Sequence, residues 1–285
     1  MKIFIYNSEF HFKNKFFIEY FVNKYHERVY TIEGADIIYS PFQYIDIHNY
    51  PDKKFIFGPH FSVFPNNVVN QFNNINNNAI YIQPSQPSVD TWQNEFKFTN
   101  LQMKAMPFGV DTDRFVEGEN SNRNNVIVYY KSRDPSELKQ LLKFLHSNHI
   151  AYRLFSYAAK YQEDDFLSYL KTCKYGIVLG QHESQGFAIQ EMLACNIPLL
   201  VWGVTLRNQE YPYRKEYINI KSNVSTVPYW SSMCGELFHN FNQLEDTYKI
   251  FIDKLNTYTP RKFILENLSL EVCSKKWNQL LNELF

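Results

Sequence analysis

Glu183 and Glu191 stand eight positions apart in HESQGFAIQEMLACNIPLLVW, residues 182–202, with Gly186 between them. In one continuous helix, eight steps would turn the two side chains roughly 80° apart and separate them by about 12 Å along the axis. They would share no face. The spacing instead predicts a loop at Glu183 and a helix that carries only Glu191. Gly186 then sits at the helix start, where unpaired backbone amides favour an anion and a missing Cβ lets a ligand approach the chain. Glu191 follows about 7.5 Å along that helix. Carboxylates accept hydrogen bonds from hydroxyls, so this arrangement suits a ligand with a diphosphate between two polyols. Taken alone, the spacing also describes two ordinary exposed glutamates. The strand before them, the glycine, the helix and Pro198 in register favour the site.

Positioning such a loop requires a strand on either side of the helix. YGIVLG (175–180) predicts a buried parallel strand ending before the loop, and IPLLVW (197–202) predicts the strand after the helix. A loop at that strand's carboxyl end lies where ligands bind in open α/β sheets. The same alternation runs through the chain. Strands are predicted at KIFIY (2–6), DIIYS (36–40), KFIFG (54–58), AIYIQ (79–83), LQMKAMP (101–107), VIVYY (126–130) and AYRLFSY (151–157). Helices are predicted at 14–26, at 88–96 with Ser88 as its cap, at 134–148 and at 163–173; the Asn-rich stretch 66–78 reads as a surface helix ending in a loop. Residues 109–125 form a polar linker. Strand–helix repetition on both sides of it predicts two α/β domains with mainly parallel sheets.

Twenty-nine basic residues balance 29 acidic ones, so no overall field recruits nucleic acid or an anionic membrane. Peripheral membrane association stays open. No apolar run approaches the length of a membrane span, and the first residues read as a strand rather than a signal peptide. The four scattered cysteines suit reduced thiols in a cytoplasmic protein. Close metal-ligand spacing, a helical histidine pair and a G-x-S-x-G elbow are all missing.

Residues 182–202 resemble the glutamate-seven-residues-glutamate motif of retaining GT-B glycosyltransferases, especially the GT4-like group. MPFGVDTDRF (106–115) is similar to that group's interdomain join, with Phe108 where the family often has Asn. Residues 261–285 resemble its terminal helices. The resemblance implies two Rossmann-like domains facing across a cleft, the N-terminal one shortened. It divides the chain into an acceptor-side domain at 1–115, a nucleotide-sugar-binding domain at 116–262, and terminal helices at 263–285 that cross back to the first domain.

It further implies transfer of a sugar from a UDP- or GDP-linked donor to a glycan or other hydroxyl acceptor, with retention and without a metal or other cofactor. Glu183 is expected beside the donor sugar with Ser184, while Gly186 and Phe187 offer backbone amides and Glu191 holds the ribose. Arg133 matches the family's diphosphate arginine; Lys131 and Lys139 compete for the accompanying lysine. Tyr157 is a candidate for the nucleobase side. Tyr229 and Trp230 are candidates to line the pocket, and His60 is a candidate to orient acceptor or donor sugar. Residues 1–105 carry the resemblance only loosely and lack the glycine-rich turn after the first strand. That departure motivates an alternative, a noncatalytic nucleotide-sugar or carbohydrate-binding protein on an eroded GT-B scaffold.

Overall fold

Short apolar runs and amphipathic stretches alternate into two parallel sheets in the computed structural model of the protein. The structure describes residues 1–6, 11–59, 78–95, 102–211 and 223–284. Two compact units divide the chain: unit 1 is Met1–Gly109 with Leu268–Phe285, and unit 2 is Val110–Asn267. In chain order, unit 1 contains β1 (Lys2–Ile5), α1 (Phe12–Tyr25), β2 (Glu27–Val29), β3 (Ile37–Ser40), β4 (Lys54–Phe57), β5 (Ala79–Gln83), α2 (Gln86–Glu95) and β6 (Met103–Ala105). Unit 2 contains β7 (Asn125–Lys131), α3 (Pro135–Ser147), β8 (Arg153–Ser156), α4 (Glu163–Leu170), β9 (Cys173–Gly180), α5 (Phe187–Ala194), β10 (Leu199–Trp202), β11 (Gly235–Phe238), α6 (Leu244–Asp253) and α7 (Pro260–Asn267). The last helix, α8 (Leu270–Leu284), returns to unit 1.

The unit 1 sheet has the order β2-β1-β3-β4-β5-β6, and every neighbouring pair is parallel. Strands covered on both faces read as continuous apolar runs, and β3 (IIYS) is buried at all its positions. α1 turns Phe17, Ile18, Phe21 and Val22 inward. Trp277 of α8 packs there, with ring centroids 5.5 Å from Phe108, 5.6 Å from Phe17 and 5.7 Å from Phe21. Its indole N–H donates to the Pro107 carbonyl at 3.0 Å. Phe108 is fully buried in this cluster, which gives an aromatic side chain a packing role where the resemblance expects Asn. Gly109 cannot carry a side chain: a Cβ would lie 2.6 Å from the Leu270 Cα at the start of α8.

The expected cap of α2 is corrected. The helix starts at Gln86, with Pro87 in its first turn where a fixed φ and a missing N–H cost nothing. Ser88 therefore lies inside the helix, its hydroxyl 3.3 Å from that of Ser85. Of the Asn-rich segment, residues 66–77 lie outside the described residues, as does His60.

The unit 2 sheet has the order β11-β10-β9-β7-β8, again all parallel. Asp134 caps α3 by accepting the Ser136 amide at 2.8 Å. Among the described residues no helix is long and apolar enough to cross a membrane.

Candidate functional site

β9 ends at Gly180, and residues 181–186 turn into α5, so Glu183 lies in the turn and Glu191 in the helix. Gly186 is the N-cap residue, with φ +82°, a left-handed conformation that side chains rarely adopt. Space is not what demands glycine: a Cβ would find only ordinary contacts, 3.5 Å from Glu183 Cβ and Cγ. The turn is held from inside. Gln190 Nε2 donates to the Gln185 carbonyl at 2.8 Å, and Gln185 Nε2 donates to Gln190 Oε1 at 3.1 Å. The Glu183 amide donates to the Ser225 carbonyl at 2.9 Å. Thr226 Oγ1 donates to the Gly180 carbonyl at 3.1 Å and accepts the Val204 amide at 2.9 Å, tying the ends of β9 and β10 to the same segment. At the far end of α5, Arg261 Nη1 donates to the Ala194 carbonyl at 2.6 Å.

Lys131, the last residue of β7, reaches Glu183 with Nζ 2.7 Å from Oε1, and both side chains are only 13% exposed. The same ammonium lies 4.4 Å from the centre of the Tyr157 ring, which is itself 54% exposed. Here a cation, a carboxylate and an open aromatic face meet at the carboxyl ends of β7 and β9, beside the start of α5.

Glu191 is 3% exposed. Burial, with the Glu191 and Glu183 carboxylates nearby, pushes the Tyr161 hydroxyl well above its ordinary range. Burial does the same to Tyr129, again with Glu183 close by and a hydrogen bond to Tyr161. Both phenols therefore stay protonated and can donate. Sequence reasoning missed these two. Tyr129 shares its strand face with Lys131 by simple alternation, a usable signal; Tyr161 lies in an irregular connection and offers none.

Arg133 is enclosed by protein partners. Its side chain is fully buried. Nε and Nη2 donate to Glu137 Oε2 and Oε1 at 2.9 and 2.8 Å. Nη1 donates to the carbonyls of Gly180 and Trp202 at 3.3 and 3.0 Å. The guanidinium lies over the Trp202 ring at 5.5 Å. These contacts make Arg133 a clamp on the ends of β9 and β10, held in place by Glu137.

Lys139 projects exposed from α3. Ser184 and Phe187 are half-buried at the turn and at the first position of α5. Tyr229 and Trp230 are half-buried in the segment that supplies the Ser225 carbonyl.

A buried polar cluster backs the turn. His182 Nδ1 pairs with Glu210 Oε1, which also accepts the His182 amide at 3.0 Å, and Arg207 Nη1 lies 3.1 Å from Glu210 Oε2. Burial lowers the His182 pKa, so the ring stays neutral. Burial opposes the Glu210 charge, yet the hydrogen bond from His182 and the charge of Arg207 hold that carboxyl below its usual value. Among the described residues, no three of His, Cys, Asp and Glu gather as a metal site would need.

No known family's sequence pattern matches the chain, and no curated protein sequence does either. Solved structures do. A glycosyltransferase from Rickettsia africae superposes with a TM-score of 0.58 over 98% of this chain and 83% of its own, at 14% identity. Sucrose-phosphate synthase from Thermosynechococcus elongatus gives 0.55 over 95% and 77%, at 12% identity. The pneumococcal O-GlcNAc transferase GtfA, solved in complex with UDP and GlcNAc, gives 0.51 over 87% and 56%, at 14% identity. At such identities the likeness shows the fold, and the fold is GT-B-like: two Rossmann-like α/β units, each built on a parallel sheet.

Proposed function

We propose that this protein transfers a sugar from a nucleoside-diphosphate donor to a hydroxyl acceptor. The observation that carries the reading is the half-buried Lys131–Glu183 pair at the sheet edge, set beside an α5 that begins at a left-handed glycine and carries Glu191. Lys131 and the first amides of α5 neutralise the departing diphosphate, where charge develops as the bond to the sugar breaks. Glu183 accepts hydroxyls of the donor sugar and Glu191 those of the ribose. Tyr129 and Tyr161, both protonated, add donors between them.

In the reaction the bond from anomeric carbon to phosphate oxygen breaks, and a bond to the acceptor oxygen forms on the same face. The acceptor proton passes to the departing phosphate. Retention and independence from metal follow from the motif's resemblance to the GT4-like group. The donor in this reading is UDP- or GDP-linked, and GtfA, a relative in fold, was solved with UDP and GlcNAc.

The test is a panel of UDP- and GDP-sugars, incubated with and without hydroxyl acceptors, with released nucleotide assayed and products weighed by mass spectrometry. One donor should release nucleotide faster with acceptor, and the acceptor should gain one sugar mass. Donor binding without transfer to any acceptor would instead support the noncatalytic binding protein. Failure to bind any nucleotide sugar would overturn the transfer reading and leave only a carbohydrate-binding protein.

A further inference from the structure

Unit 1 holds a cavity of about 380 Å³ at the carboxyl ends of β1 and β2, beside α1. Phe4 and Tyr6 line it from β1 and the residue just past it, with ring centroids 6.2 Å apart in an edge-on pair. Lys15 and Glu19 line it from one face of α1, four residues apart. Arg28 of β2 and Tyr30, just past its end, close it, with Arg28 Nη1 3.3 Å from Glu19 Oε1 and the guanidinium 5.4 Å from the centre of the Tyr30 ring. Tyr30 is 79% exposed, an aromatic face turned to solvent rather than core.

Two features of this lining point to a ligand class. An open aromatic ring packs against the C–H face of a sugar, while a paired guanidinium and carboxylate offer donors and acceptors at fixed spacing to its hydroxyls. Among the described residues the lining carries two cations, Lys15 and Arg28, and one carboxylate, Glu19, an excess of one positive charge. The volume is at the small end for ligand sites, suited to a short glycan. We infer that this cavity binds a short glycan bearing one acidic group of the uronate type. It uses none of the donor-site residues, so it goes beyond the transfer reading and stands or falls without it.

The test uses the full-length protein without nucleotide. The probes are a disaccharide containing one uronic acid and its neutral, carboxyl-reduced counterpart, titrated by calorimetry and ligand-observed NMR. The acidic probe should bind, and the neutral one should bind roughly tenfold more weakly, the loss of one charge-assisted contact. Lys15→Glu, at an exposed helix position that leaves the core untouched, should erase that preference. Tyr30→Ala should weaken both probes about fivefold. Binding of neither probe, equal affinity for the two, or a preference that survives Lys15→Glu would overturn the inference, as would Tyr30→Ala binding like wild type. A negative donor panel alongside positive glycan binding would count against the transfer reading alone.

Discussion

Lys131→Met keeps most of the stem's bulk and removes the charge that Glu183 faces at 2.7 Å. At an effective dielectric of about 20, the gross attraction over that distance is on the order of 6 kcal/mol. Desolvation of two side chains that are each 13% exposed consumes most of it. Methionine would leave the Glu183 carboxylate without its cation, a folding cost of about 1–3 kcal/mol. Adding Glu183→Gln should recover most of that cost, because no bare carboxylate remains. Ligand binding gives the second readout. One charge-assisted contact to phosphate is worth about 1.5–3 kcal/mol, or roughly 10- to 150-fold in dissociation constant. That loss should appear for the nucleoside diphosphate and not for the bare nucleoside, since only the former meets Lys131. Urea denaturation measures the stability and calorimetry the binding. A folded K131M that binds the diphosphate as tightly as wild type would refute the role. Equal losses for diphosphate and nucleoside would refute it too, by showing a general collapse of the site.

Arg133→Met should lower stability by about 3–5 kcal/mol in urea denaturation, because Glu137 and the carbonyls of Gly180 and Trp202 lose a buried cation. Arg133→Lys should rescue little, lacking the planar fork that serves them together. A midpoint near wild type for either variant would contradict the clamp. Burial, with the N-terminal ammonium beside it, lowers the His26 pKa from 6.5 to about 4. The unfolded chain then takes up a proton that the folded one refuses, so stability falls as pH drops from 6.5 towards about 4. His26→Leu should flatten stability across that window, and an unchanged slope would contradict the linkage.

The second sheet is legible in sequence where its strands are buried on both faces. YGIVLG and IPLLVW are continuous apolar runs, and they became β9 and β10 within two residues at each end. β2 is the opposite case. ERV has no apolar run, and its three residues form a strand only by pairing with β1. β11 (GELF) is similarly short and mixed, and its register comes from β10. α6 has helical periodicity at Leu244, Tyr248 and Phe251, a signal the sequence does carry.

At the site, the loop at Glu183 and the helix at Glu191 follow from their spacing taken together with the preceding strand, Gly186 and the apolar helix pattern. Which of Lys131 and Arg133 meets Glu183 does not. Both fall on the same parity, and strand alternation would send both to one face. β7 stops at Lys131, however, and Ser132 takes φ +48°, which redirects Arg133 into the core. A single left-handed residue decides the assignment, and serine gives no warning of it. Tyr161 is equally silent in sequence, because only the folded chain brings it near both glutamates.

The most direct test of a nucleotide-sugar site on unit 2 compares wild type and Glu191→Ala by calorimetry, each with the ribonucleoside diphosphate and its 2′-deoxy analogue. Wild type should prefer the ribonucleotide, and Glu191→Ala should lose that preference while still binding both through Lys131 and the amides of α5. A ribose preference of the same size in wild type and Glu191→Ala would contradict the assignment of Glu191 to the ribose, and with it the donor site built around α5.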